Sequence, residues 1–222
     1  MSKRFHPHAF LPIGVLAIAA FLLPSATFAA TFYIDPSAAA NGIGTQARPF
    51  NSWKSVSFQR GNTYLQKAGT TYPGILYITS VKGTASLPVI IDRYGTGAPP
   101  IITNVVLFDN SSYITFQDFT TRVPTYPSLV IGNGSTHITV NNNSITDGVA
   151  GIFLGGSGCN NVIENNTIHD VAVDGIVVGQ AVCTNGNQTL IQGNTINNTG
   201  IHGIELVGHF LSSNTISSTT PA

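Results

Sequence analysis

Apolar residues recur along this chain in short runs that alternate with polar positions at period two, the pattern of strands with one face in and one face out. The runs also return at long intervals. NNNSI ends at Ile145, ENNTI at Ile168, QGNTI at Ile196 and LSSNTI at Ile216, so these isoleucines stand 168−145=23, 196−168=28 and 216−196=20 residues apart. A second phrase keeps step with the first: GIFL from Gly151, GIVV from Gly175, GIEL from Gly203. Two phrases recurring together at a period in the low twenties predict a solenoid with one coil per repeat.

The strand column extends backward through Val106, Leu129, Ile152, Ile176 and Ile204. Ile114 and Ile138 begin a matching column that continues into NVIE and TLIQ. Each coil is expected to carry about three short strands joined by turns. Asn143, Asn166, Asn194 and Asn214 fall at the turns. Asparagine tolerates left-handed backbone and can hydrogen-bond its own column, so these residues are expected to stack as a ladder. TYLQKAG, GILYITS and LPVIIDRYG read as earlier strands, and NSWKSVSF as a short helix with Trp53 and Phe58 covering the open end of the core.

Composition narrows the class. The chain has 222 residues, of which 8% are charged and 23 are glycine, but 42% are hydrophobic, too many for a disordered chain. Formal net charge is zero, so no nucleic-acid partner is expected. Lys3 and Arg4 precede an apolar run from Ala9 to Pro24 and the small-residue stretch SATFAA. Residues 1–29 therefore read as a signal peptide, with a secreted or periplasmic destination and no membrane association once it is removed; the alternative is an uncleaved membrane anchor, for which the apolar run is short. Residues 30–222 are expected to form one domain. Cap and opening coils lie at about 30–100, and regular repeats at about 101–222. Cys159 and Cys183 are 183−159=24 residues apart, about one coil, and an oxidising compartment would permit a disulfide between them. The chain ends six residues after Ile216, in SSTTPA, without an amphipathic cap. The expectation is an array that is incomplete or that associates with another copy, end to end or face to face.

The stacked N-T-I and G-I-x-L phrases resemble the parallel β-helix repeats of the pectate-lyase-like superfamily. FYIDPSAAANGIGTQARPFNSWKSV, GNTYLQKAGTTYPG and LPVIIDRYGTGAPPIIT also resemble that superfamily's N-terminal coils, although Asn62 stands where an Asp is usual. The resemblance implies an all-β, right-handed parallel β-helix and a polysaccharide partner. It leaves the chemistry open among lyase, hydrolase and non-catalytic binding or adhesive proteins.

Lyases of the superfamily need a base near the reacting carbon and a cation to neutralise the uronate. All nine lysines and arginines lie at or before Arg122. Coils after that point must therefore use histidine as base and carboxylate-bound Ca²⁺ as neutraliser. Counting back from Ile176 and Ile204 puts Asp174 and His202 in one column, with Glu205 just after. His202 is the expected base, Asp174 its support, and Glu205 and Asp170 polar or Ca²⁺-binding partners. The plainer alternative is that H-D-x-x-x-D-G-I simply hydrogen-bonds a turn. Asp147 and Asp170 share another column and are expected to hold Ca²⁺ between coils. Asp174 and Glu205 could instead form the carboxylate pair of a glycoside hydrolase. The outward column Leu107, Val130, Phe153, Val177, Glu205 is mostly apolar, unlike the polar groove of active relatives. Tyr113, Tyr126 and Trp53 are aromatic candidates for stacking on sugars.

Overall fold

A computed structural model describes residues 29–156, 159–179, 189–206, 210–212 and 215–216. The signal-peptide reading, Cys183, Asn214 and the SSTTPA ending fall outside the described residues. Cys159 is held in a disulfide. No helix among the described residues is long and apolar enough to cross a membrane.

Among the described residues the strands form three sheets of eight, seven and six strands, and every pairing between these strands is parallel. One coil shows the path. Thr136–Asn141 lies in the eight-stranded sheet, Ser144–Thr146 in the seven-stranded sheet and Ala150–Leu154 in the six-stranded sheet. Val162–Glu164 then returns to the first. The period-two alternation decides the register, because a slip by one residue would turn the apolar set outward. Leu76, Val106, Leu129, Ile152, Ile176 and Ile204 pair in succession, as the repeat spacing predicts. The second column runs Ile114 to Ile138 and then meets Asn161, while Phe116, Val140, Ile163 and Ile191 stack beside it.

The Asn column is a ladder. Asn166 Oδ1 accepts from both the backbone N–H and Nδ2 of Asn143, at 3.0 Å each. Asn194 Oδ1 does the same for Asn166, at 3.0 Å each. Each Nδ2 also reaches a strand carbonyl one coil back, Val140 for Asn166 and Ile163 for Asn194. The residue before each Asn rung, Asn142, Asn165 or Gly193, has φ between 53° and 62°, and Asp118 before Phe119 has φ 64°. The residue before the rung thus bends the chain into the left-handed region, and the rung asparagine satisfies backbone groups that the bend exposes. A second buried ladder stands at another corner. Ser111 N–H donates to Ser135 Oγ, and Asn161 Nδ2 to the Ser135 carbonyl.

The N-terminal segment forms a single 3₁₀ turn over Trp53–Ser55 rather than a helix across NSWKSVSF. Ser52 caps it by accepting from the Lys54 N–H, and Val56 is already extended. Trp53 is nevertheless buried where expected, stacked on Phe58 and donating Nε1–H to Gln66 Oε1 at 2.6 Å. Asn62 holds Ala30 N–H on Oδ1 and donates Nδ2 to Tyr64 Oη, a donation that an Asp could not make.

The D-P-S motif is tied to the next coil. Asp35 accepts from Lys67 Nζ at 2.8 Å and from the backbone and hydroxyl of Ser37. Burial by itself would raise the Asp35 carboxyl, but the hydrogen bonds from Lys67 and Ser37 and the Lys67 charge outweigh it and hold it below its usual 3.8. A carboxyl lowered on folding adds stability above its unfolded pKa and loses it as pH falls through the folded value. Urea unfolding of wild type and Lys67→Met should therefore differ at pH 6, with the wild type more stable. The gap should close below about pH 4, as Asp35 protonates. A gap that persists undiminished at pH 2 would assign the difference to packing instead.

Candidate functional site

At the corner where the seven-stranded sheet hands over to the six-stranded sheet, Ala150, Asp174 and His202 stack in register. The next column is Gly151, Gly175 and Gly203. A Cβ on Gly175 would lie 2.4 Å from the Gly203 carbonyl oxygen and 2.6 Å from Ile196 Cγ2, so only glycine lets successive coils close up here. That close approach sets His202 directly over Asp174.

Asp174 is buried at 6% exposure, and its Oδ1 accepts twice from His202, from the backbone N–H at 3.0 Å and from Nδ1 at 2.9 Å. A carboxylate can only accept, so Nδ1 carries the proton of this contact and Nε2 of the neutral ring carries the lone pair. The imidazole is 56% exposed. Glu205, outward in the same strand and paired with Val177, completes the cluster. One oxygen or nitrogen from each of Asp174, His202 and Glu205 lies within 4.8 Å of the others. The three residues expected to act together are thus together. Their donor set is one imidazole and two carboxylates, a mixed set that suits a first-row divalent ion better than Ca²⁺, which takes oxygen ligands.

Asp147 and Asp170 also share a column, with the Asp147 N–H donating to the Asp170 carbonyl. Both have positive φ, 61° and 55°, as does Asn198 at 48° in the next coil. Their side chains already have partners. Arg122 Nε lies 3.0 Å from Asp147 Oδ2. Asn198 Nδ2 donates to Asp170 Oδ1, and His169 Nδ1 lies 2.7 Å from Asp170 Oδ2. The hydrogen bond from Asn198 and then that from His169 hold the Asp170 carboxyl below its usual 3.8. A concavity of about 490 Å³ lies here, lined by Asp147, Asp170, Asn198 and Pro124 among others. Sequence reasoning missed the Arg122–Asp147 pair because the two residues are one coil apart, Arg122 opposite Thr146.

The aromatic candidates separate. Trp53 belongs to the core, and Tyr126 is 63% exposed. Tyr113 stacks on His137, ring centroids 4.2 Å apart, with both residues at positive φ. The outward column is as apolar as its sequence reads: Leu107, Val130, Phe153 and Val177 are partly exposed, and Tyr77 extends the row at 57% exposure.

The family described as the right handed beta helix region matches residues 104–220. No curated protein matches the sequence. Among solved structures, a rhamnogalacturonan lyase aligns over 86% of this chain and 58% of its own, with TM-score 0.65 and 16% identity. A lacto-N-biosidase from Eubacterium ramulus aligns over 77% of this chain and 42% of its own, with TM-score 0.63 and 17% identity. An alginate lyase from Paenibacillus sp. str. FPU-7 aligns over 84% of this chain and 74% of its own, with TM-score 0.56 and 16% identity. The chain thus spans about half the length of the first two structures. At these identities the likeness is one of fold.

Proposed function

Since this chain belongs to the right-handed β-helix family, we propose that it is an exported carbohydrate-active protein that cleaves a uronate-containing polysaccharide by β-elimination at the Asp174–His202 corner. The observation that carries this reading is the 2.9 Å contact between His202 Nδ1 and the buried Asp174 carboxylate. It fixes the imidazole and leaves Nε2 free as a general base on an exposed edge. The names of the structures with the same fold, two of them polysaccharide lyases, support the substrate class. The signal-like N-terminus supports export.

In the reaction, Nε2 of His202 takes the proton from the carbon bearing the sugar's carboxyl group. The electron pair of that C–H bond forms a double bond to the neighbouring carbon as its C–O bond to the next sugar breaks. The departing oxygen receives a proton, and His202 returns to its neutral form when the one it took is released. Asp174 steadies the imidazolium between the two transfers.

A second reading rests on a different distance. Asp174 and Glu205 oxygens lie within 4.8 Å, a spacing close to the roughly 5–5.5 Å of paired carboxyl groups in retaining glycosidases. Product chemistry separates the two. Elimination yields unsaturated ends that absorb in the ultraviolet, whereas hydrolysis yields reducing ends without unsaturation. The folded protein is expected to produce unsaturated ends from a uronan. Reducing ends alone would transfer the site to the hydrolase reading, and binding without cleavage would make the protein a glycan-binding module.

A further inference from the structure

We infer that the eight-stranded sheet carries a separate binding site for a single neutral sugar ring, built on the stacked side chains of Tyr113 and His137. The site lies on a different sheet from His202, and it does not depend on the elimination reading. Tyr113 and His137 are neighbours in one column, between the Ser112–Thr136 and Ile114–Ile138 pairs. Both have left-handed backbone, φ 55° and 56°. Counting back from the Thr139–Val162 pair puts Asn160, φ 58°, next in that column. Asparagine and histidine are enriched in such backbone, whereas a bulky tyrosine is an outlier there. His137 also keeps Nδ1 buried without a hydrogen-bond partner among the described residues. The stack therefore costs the fold backbone strain and an unmade hydrogen bond, and costs of this kind gather at ligand sites.

The surroundings say what the ligand is. The Tyr113 and His137 rings lie 4.2 Å apart and 13° from parallel. On the other side of Tyr113 the column holds Gly83, next to the Lys82–Ser112 bridge. A Cβ there would lie 2.6 Å from the Tyr113 carbonyl oxygen, so the column gives Tyr113 a side-chain neighbour on one side only. A concavity of about 250 Å³ opens beside the pair. Ala85 and Pro88 line it from the coil before, and Thr115 and Thr139 from the sheet itself. Its volume is below the roughly 300–1,000 Å³ of pockets for drug-sized ligands, which suits one ring. A sugar ring has an apolar C–H face that packs on an aromatic ring and a rim of hydroxyls that threonine can bond. No Asp, Glu, Lys or Arg lines the concavity, so a uronate carboxylate would be desolvated there without a partner. A neutral sugar meets no such cost.

The test titrates the protein with methyl glycosides of neutral hexoses and pentoses, and separately with galacturonic acid and with phenol, while imidazole resonances are followed by NMR. The His137 resonances should shift with a neutral glycoside and those of His202 should stay. Galacturonic acid should bind about tenfold more weakly or worse. Tyr113→Asn should weaken the glycoside by about tenfold or more. Its urea midpoint should hold or rise, because asparagine suits the backbone, and a damaged fold cannot give both results. Should that variant prove less stable, Thr139→Val decides: it keeps the side chain's shape, removes one hydroxyl and should weaken binding about threefold or more. The inference falls if no neutral glycoside binds, if His202 shifts in place of His137, or if the acid is preferred. It also falls if a folded Tyr113→Asn or the deciding Thr139→Val binds as the wild type does. Preference for phenol would make this a site for flat aromatic ligands and overturn the sugar assignment. Elimination activity is measured apart from this, and its absence would leave the site standing.

Discussion

Asn166→Ala is expected to lower the unfolding free energy by about 3 kcal/mol or more, a large share of the stability of a single domain. Asn166 is 1% exposed, and its side chain serves four groups in the buried ladder. Its Oδ1 accepts from the backbone and side chain of Asn143, and its Nδ2 donates to the Val140 carbonyl and to Asn194 Oδ1. Alanine would strand a buried N–H and carbonyl, and each such orphan costs about 1–3 kcal/mol. The neighbouring Asn165 is the control. It is exposed, sits at φ 56°, and its side chain donates to Asn141 Oδ1. Asn165→Ala should cost no more than about 1–2 kcal/mol, because alanine lacks the short polar side chain that lets asparagine tolerate left-handed backbone. Urea midpoints of the two variants decide the matter. Equal, small losses would show that the ladder is decoration on a core that holds itself.

The second large effect is catalytic. His202→Ala should lower kcat on a uronan by about 10²–10⁴-fold, the usual contribution of a positioned general base. The imidazole is 56% exposed and packs no core, so the unfolding midpoint should hold to within about 0.5 kcal/mol. Asp174→Asn is the more informative partner. An amide oxygen can still accept from the His202 N–H, so the corner keeps its shape. The charge that steadies the imidazolium is lost, and kcat should fall by about tenfold or more with KM little changed. If Asp174→Asn lost stability and kept its activity, Asp174 would be a turn residue and nothing more.

The sequence made the solenoid plain because its two repeat phrases carry the two things a coil needs: an isoleucine for the core and an asparagine for the corner. It also placed Asp174, His202 and Glu205 together, since their distances from Ile176 and Ile204 are short and the register is regular. Other features were hidden for physical reasons. The second ladder uses Ser111, Ser135 and Asn161, which do the same work with different side chains, so no phrase repeats. The positive φ shared by Asp147, Asp170 and Asn198 offers a structural reason for short polar residues in that column, independent of any ion. Arg122 reaches Asp147 from the coil before, which counting charges along the chain does not reveal. The helix expected around Trp53 shrinks to one 3₁₀ turn because the indole is held by Gln66 and Phe58 across the cap rather than by a helical face.

The most direct measurement is the ultraviolet absorbance generated from one uronan by wild type and by His202→Ala, with reducing ends counted in the same samples. The structure leads us to expect unsaturated ends from the wild type in proportion to reducing ends, and a loss of at least a hundredfold in the variant without loss of fold. Cleavage at an equal rate by a folded His202→Ala protein, or reducing ends that appear without unsaturation, would contradict elimination at the Asp174–His202 corner.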